Sequence, residues 1–259
     1  MRRSIVTMTL LAASLGAAAP AYALDQKQVD AIVERLDVRQ RSTGDYRALC
    51  YIEQKERGKN DLLYQAAFYR RDDDDKLMIL FLKPKSETGK GYLRLDKSMF
   101  MYDPTVGKWE RRTERERIMG TDSRRGDFDE SRLAQEYAAK FVKDTKLGKR
   151  KVHQLKMTAR KGQDVAYPTL ELWVDVDSGN LLKRQDFALS GRLMRTTYYP
   201  KWKKVFSEDK GAEVYYPEEI HIYDEVEKGN RTTMALTEVD LRPLSENIFT
   251  KAWLESKSR

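Results

Sequence analysis

Residues 77–82, LMILFL, are apolar at six consecutive positions and are bounded by Lys76 and Lys83. Six residues are too short a run for an ordinary helix and the right length for a strand, whose side chains alternate between two faces. Both faces of such a strand need cover, which excludes a sheet with one side simply open to water there. Met99, Phe100, Met101 and Tyr102 repeat the situation on a second run. The chain must therefore supply a layer on each side of the same strands.

The neighbouring sequence is mostly strand-like. From Asp45 onward, short alternating runs separated by turn residues predict eleven strands, over residues 47–57, 62–70, 76–83, 91–95, 99–103, 150–160, 169–175, 181–189, 192–199, 214–223 and 231–241. Polar connections such as Gly58-Lys59-Asn60, residues 72–75 (DDDD), Asp177-Ser178-Gly179-Asn180 and Lys228-Gly229-Asn230 accept turn geometry and imply an antiparallel meander. Two segments instead carry helical spacing. Val29, Ile32, Val33 and Leu36 line one face of residues 25–41 behind the capping residue Asp25. Leu133, Tyr137 and Phe141 form a stripe behind Asp129 and Glu130, which predicts a helix over residues 129–144. No parallel β/α/β alternation is present, so the fold class is α+β.

The first 23 residues have the three parts of an export signal. Arg2 and Arg3 lead, residues 5–19 are apolar, and Ala21-Tyr22-Ala23 supplies small residues for cleavage after Ala23. The expected mature chain, residues 24–259, is then a single exported domain. A lone cysteine, Cys50, excludes an intramolecular disulfide, and its apolar alternating context predicts a packed thiol. The net charge of +8 arises from 49 basic and 41 acidic residues, which fits solubility and some attraction to anionic lipid. An exported chain seldom meets nucleic acid, and none is expected as a partner.

Groups for covalent chemistry are sparse. His153 and His221 both lie in strand patterns without a second ligand at metal spacing, so no metal and no cofactor are expected. Neither a G-x-S-x-G elbow nor an H-E-x-x-H helix occurs. The glycine loop in FLKPKSETGKGYL, residues 81–93, fails as a phosphate loop. Pro84 stands five before Gly89, Gly91 follows Lys90 where Ser or Thr is required, and a strand rather than a helix comes next. The arginine-rich segment 107–128 carries interleaved acids at Glu110, Glu114, Glu116 and Asp122 and reads as an internally paired, solvated surface, with its arginines as rim contacts. The doubly apolar strands remain. Either they form a plain core between sheet and helices, or one set lines a hollow for which methionine's flexible thioether is suited.

FLKPKSETGKGYLRLDKSMFMYDPTVGKWER, MGTDSRRGDFDESRLAQEY and the terminal IFTKAWLE resemble the LolA-like family of outer-membrane lipoprotein-sorting proteins over most of residues 24–259. The resemblance implies a strongly curved antiparallel sheet, an incomplete barrel closed by amphipathic helices around an apolar cavity for acyl chains. It also implies a periplasmic lipid or lipoprotein carrier without enzymatic activity, expected to be a monomer that meets an inner-membrane transporter, such as an export pump, and an outer-membrane acceptor. The alternative is a periplasmic sensor or adaptor of the same fold that binds a protein partner. Alternation along the strands nominates Met78, Leu80, Leu82, Leu93, Leu95, Met99, Met101, Leu170, Leu172 and Val174 as the apolar lining. Lys85, Lys90, Trp109, Arg111 and Arg112 are the expected rim or partner contacts.

Overall fold

The computed structural model describes residues 23–41, 44–72, 74–95, 98–113, 116–128, 131–208 and 210–258. Residues 1–22 of the expected export signal, and the expected capping pair Asp129 and Glu130, lie outside the described residues. Helix α1, Gln26–Arg41, begins where the sequence places it. The Asp25 carboxylate accepts from the Gln28 amide at 2.8 Å while Gln28 Oε1 accepts from the Asp25 amide at 2.9 Å, a reciprocal cap that satisfies two end donors.

Thirteen strands follow: β1 Asp45–Lys55, β2 Leu62–Arg71, β3 Lys76–Lys83, β4 Gly91–Leu95, β5 Ser98–Asp103, β6 Lys108–Arg112, β7 Tyr137–Leu147, β8 Arg150–Ala159, β9 Thr169–Asp175, β10 Leu181–Phe187, β11 Leu193–Ser207, β12 Ala212–Asp224 and β13 Arg231–Asp240. Two short helices complete the set, α2 Leu133–Glu136 and α3 Lys251–Lys257. All strands join one antiparallel sheet in the order β6-β5-β4-β3-β2-β1-β13-β12-β11-β10-β9-β8-β7. Pairing of β1 with β13 fuses two meanders, and β6 and β7 end the sheet without meeting. This is the α+β, curved and unclosed architecture that the sequence leads one to expect.

All eleven expected strands form, and two more are added. The helix expected over residues 129–144 is corrected to the single turn of α2 followed by β7. Tyr137, Ala139 and Phe141 are spaced by two as well as fitting a helical stripe, and pairing with β8 satisfies that alternation as far as Phe141, where the register shifts. The turn of α2 is capped from elsewhere, since the buried Asp37 of α1 accepts from the Leu133 amide at 2.9 Å and the Ala134 amide at 2.8 Å. The second correction concerns residues 107–128. They begin with β6, and residues 116–128 then leave the surface and fold across the sheet, burying Ile118, Thr121, Asp122, Ser123 and Arg125.

One short segment reaching so many strands shows which face is concave. Tyr64 of β2 donates to the Met119 carbonyl, Tyr92 of β4 accepts from the Met119 amide, Gln54 of β1 holds Asp122, and Arg195 of β11 grips Asp127. The sheet must curl around this segment for all four to meet it. We call that side the inner face; the register Cys50↔Ala66 and Ala66↔Phe81 carries it from β1 to β3.

The outer face of β3 and β4 is covered by the C-terminus. Met78, Leu80 and Leu93 pack under Phe249 and Leu254. The two glycines of the 81–93 loop make this possible. A Cβ on Gly91 would lie 2.5 Å from the Ile79 carbonyl oxygen and 2.8 Å from Leu254 Cδ1, and one on Gly89, at φ +85°, would meet the Ser258 carbonyl oxygen at 2.8 Å. The loop is thus a seat for α3. Gly91→Ala is expected to destabilise the protein by about 1–3 kcal/mol through overpacking and to expose the last residues to carboxypeptidase. Urea denaturation and timed digestion read the two effects; unchanged values for both would mean that α3 does not depend on this seat.

Candidate functional site

The inner face carries two apolar layers. Under α1, Leu155 and Met157 of β8, Leu170, Leu172 and Val174 of β9, and Leu181 of β10 meet the helix stripe Val29, Ile32, Val33 and Leu36. Under residues 116–128, Cys50, Ile52, Ala66, Phe68, Leu77, Ile79, Phe81 and Met99 meet Ile118, Met119 and Phe128. Each layer has a sheet on one side and a non-strand cover on the other.

The cover over the first layer is fastened at its rim by polar contacts. Gln26 donates to the Ala139 carbonyl at 3.1 Å near one end of α1. Near the other end, Arg39 donates to the Ser178 carbonyl at 2.6 Å and to Asn180 Oδ1, and its guanidinium lies 4.2 Å from the centre of the Tyr215 ring. Asp37 ties the same end to α2. Between these points the helix contributes only apolar contact, which is non-directional and exchangeable for another apolar partner.

A charged seam separates the layers. Asp186 of β10 is fully buried and accepts from Arg195 Nε at 2.9 Å and from Arg184 Nε at 2.5 Å. Arg195 also donates from both terminal nitrogens to Asp127, at 2.7 and 2.6 Å, a bidentate clasp between the sheet and the covering segment. Burial alone would push the Asp186 carboxyl up, but the Arg184 and Arg195 guanidiniums outweigh it and hold the group below the usual carboxylate range. Beside it Arg117 pairs with Asp224 at 3.0 Å and with Asp122 at 3.4 Å. Burial pushes the Asp122 carboxyl above its ordinary value, against the opposing pull of Gln54 and Arg117.

The ten expected lining residues divide among three places. Leu170, Leu172 and Val174 lie together beneath α1. Met99 and Met101 lie in the second inner layer. Met78, Leu80, Leu93 and Leu95 lie on the outer face under the C-terminus, and Leu82 is 37% exposed. Of the expected rim, Lys85 and Arg111 are exposed, while Lys90 is paired with Glu87 at 2.9 Å and Asp103 at 3.5 Å. Trp109 donates to Glu255 at 2.7 Å and so holds α3, and Arg112 is paired with Glu110 and Glu116. Sequence reasoning did not find the seam. Its signal was charge at both parities of β10 in LLKRQDF, Lys183 on one and Arg184 with Asp186 on the other, since one of the two sets had to point inward.

The space at the seam, bounded by Arg117, Asp122, Arg124, Met194, Arg195 and Asp224, is ≈ 10 Å³, no more than a water's worth. A shallow outer depression of ≈ 450 Å³ is lined by Tyr198, Pro200, His221, Tyr223 and Glu225. His221 is engaged with Glu219 and His153 with Asp144, each at 2.6 Å. Cys50 is buried, and that burial pushes its thiol up, away from the reactive thiolate. Among the described residues no group of three His, Cys, Asp or Glu side chains could hold a metal.

A family model with the description "Uncharacterized protein" matches residues 73–256, well over half of the chain. The chain belongs to that family. Its fold is LolA-like. A putative outer membrane lipoprotein-sorting protein domain from Vibrio parahaemolyticus aligns with a TM-score of 0.77 at 18% identity, over 89% of this chain and 100% of that one. A LolA superfamily protein from Nitrosomonas europaea gives 0.71 at 19% identity, over 87% and 98%. A DUF1329 family protein from Desulfovibrio piger gives 0.74 at 19%, again over 87% and 98%. No curated protein sequence matches the chain. At such identities the LolA-like likeness is one of fold.

Proposed function

We propose that this protein is a periplasmic carrier that takes the acyl chain of a lipoprotein or envelope lipid between α1 and the apolar layer of β8–β10, and passes it between membrane partners. The observation that carries this reading is the construction of that layer. Its sheet side is apolar across β8, β9 and Leu181, bordered on β10 by the paired Arg184 and Asp186 across from Leu172 and Leu170, and its cover is one amphipathic helix held by polar contacts at both ends. An acyl chain can replace the helix stripe, with about 0.8 kcal/mol gained per buried methylene. Roughly ten methylenes offer about 8 kcal/mol, which corresponds to micromolar binding before the cost of lifting α1 is subtracted. Reversible transfer needs affinity of that order. Leu170, Leu172 and Val174 are the expected residues that this reading keeps as lining; Met99 and Met101 belong to a second layer that a longer or second chain would reach.

In this reading residues 24–259 act as one exported domain, the donor is an inner-membrane transporter, the acceptor lies in the outer membrane, and no covalent step is involved. The test is native mass spectrometry of the purified chain, with thermal denaturation in added phospholipid or diacyl lipopeptide. Copurified lipid is expected, as is a stabilisation of about 2.7 kcal/mol when free ligand reaches a hundred times its Kd. Absence of both would sink the carrier reading and leave a sealed inner face, as an adaptor would have.

A further inference from the structure

The positive charge of this chain is concentrated in one hairpin. Of the 49 basic and 41 acidic residues, nine basic and one acidic lie between residues 140 and 161, which leaves 40 of each in the rest of the chain. That stretch covers β7 and β8, and all nine basic side chains are exposed. The hairpin forms one open end of the sheet, since β7 pairs with β8 alone.

Its charges are arranged against its own stability. Lys140 stands directly across from Lys156, and Lys146 directly across from Lys151. Like charges at facing positions repel. Lysines on other strands do meet acids, as Lys201 meets Glu218 and Lys76 meets Glu246, or an aromatic ring, as Lys183 lies over Trp173. At the hairpin the acids are taken up by the Arg150–Asp175 ion pair and the His153–Asp144 contact, so among the described residues these four lysines have no acidic partner. Glu171 lies across from Lys156 on the other side, but its carboxylate accepts from Gln154 at 2.9 Å.

We infer that the β7–β8 hairpin is a docking surface for an anionic bilayer. Lysine dominates it, and lysine is a compact point charge suited to a diffuse field of headgroup phosphates, whereas defined carboxylate or phosphate recognition favours arginine forks. No exposed Trp or Tyr lies between residues 140 and 161 to anchor a protein interface or to stack on bases. Val142, 45% exposed between Lys140 and Lys143, supplies an apolar contact at headgroup depth. The placement also deepens the carrier reading, on which this part rests: α1 packs on β7, so docking by this edge brings the mouth of the first apolar layer to the membrane.

The full chain and the double variant Lys140→Glu/Lys146→Glu are compared by co-sedimentation with vesicles of phosphatidylglycerol in phosphatidylcholine and of phosphatidylcholine alone. The variant turns both repulsive pairs into opposite-charge pairs, so its thermal midpoint should be unchanged or higher. The unaltered chain is expected to bind only the anionic vesicles, less at high salt, and the variant at least about twenty-fivefold more weakly, a factor of about five for each lysine charge lost before the added repulsion of each glutamate. Equal binding to both vesicle types, binding to neither, equal binding of both proteins, or retention on heparin without vesicle binding would overturn the inference. Native mass spectrometry of the same two proteins separates the readings. Lipid loading with no vesicle binding refutes the docking surface alone, and vesicle binding with no loading refutes the carrier alone.

Discussion

Replacing Asp186 by alanine is expected to destabilise the protein by about 3–5 kcal/mol at neutral pH, because it leaves two arginines facing a space from which their shared carboxylate has gone. The pH dependence should change with it. The folded-state carboxyl of Asp186 is held below its ordinary value, so its stabilising contribution is complete above the unfolded value of about 3.9 and is lost as pH falls through the lower folded value. Urea denaturation at neutral pH and at several acidic values should show the gap between the native protein and Asp186→Ala closing as acid protonates the native group. A gap of constant size, or one below about 1 kcal/mol at neutral pH, would show that the seam does not hold the covering segment to the sheet.

The second large effect is local. Asp37→Ala removes the acceptor for the Leu133 and Ala134 amides, and hydrogen bonds to a charged group are worth about 1.5–3 kcal/mol each. A net loss of about 3 kcal/mol at this latch raises the population with α1 lifted by roughly a hundredfold. Hydrogen exchange of the α1 amides should accelerate by that factor while the central strands β1 and β13 change less. A fluorescent fatty-acid probe should also enter faster. Uniform acceleration across the sheet would mean that Asp37 supports the whole fold, and unchanged probe uptake would mean that α1 is not the gate.

Much of this arrangement was legible in the sequence, and the exceptions have physical causes. Alternation locates eleven strands because each has at least one half-buried face, and the 3.6-residue stripe with Asp25 in front locates α1 to within a residue. Residues 129–144 satisfy both periods at once, through Leu133, Tyr137 and Phe141 or through Tyr137, Ala139 and Phe141, and only the presence of β8 decides between them. For β3, alternation separates Met78 and Leu80 from Leu77, Ile79 and Phe81 but does not say which set faces inward. That depends on where the C-terminal helix lands. The clue was Gly89 and Gly91, which are small because another backbone approaches them and not because a phosphate does. The segment 116–128 was misread because mixed charge normally means solvent, whereas here Arg117 and Asp127 are matched by Asp224 and Arg195 across the fold.

The three apolar layers also show why doubly apolar strands do not by themselves imply a hollow. Both faces of β3 are covered by protein, one by residues 116–128 and one by α3 with the turn before it. On the proposed reading, cargo has to displace the side chains that cover the layer under α1. In the proposed carrier, α1 and an acyl chain compete for the same layer, and the latch strength sets the balance.

That competition is tested most directly by mapping where a bound chain lies. A fatty acid bearing a photoreactive diazirine near its methyl end is incubated with the full chain, irradiated, and located by peptide mass spectrometry. The account predicts adducts on β8 and β9, around Leu155, Met157, Leu170 and Leu172, and on the stripe of α1, all suppressed by excess unlabelled lipid. Saturable adducts confined to the outer depression at Tyr198 and Tyr223, or none on the inner face, would contradict it.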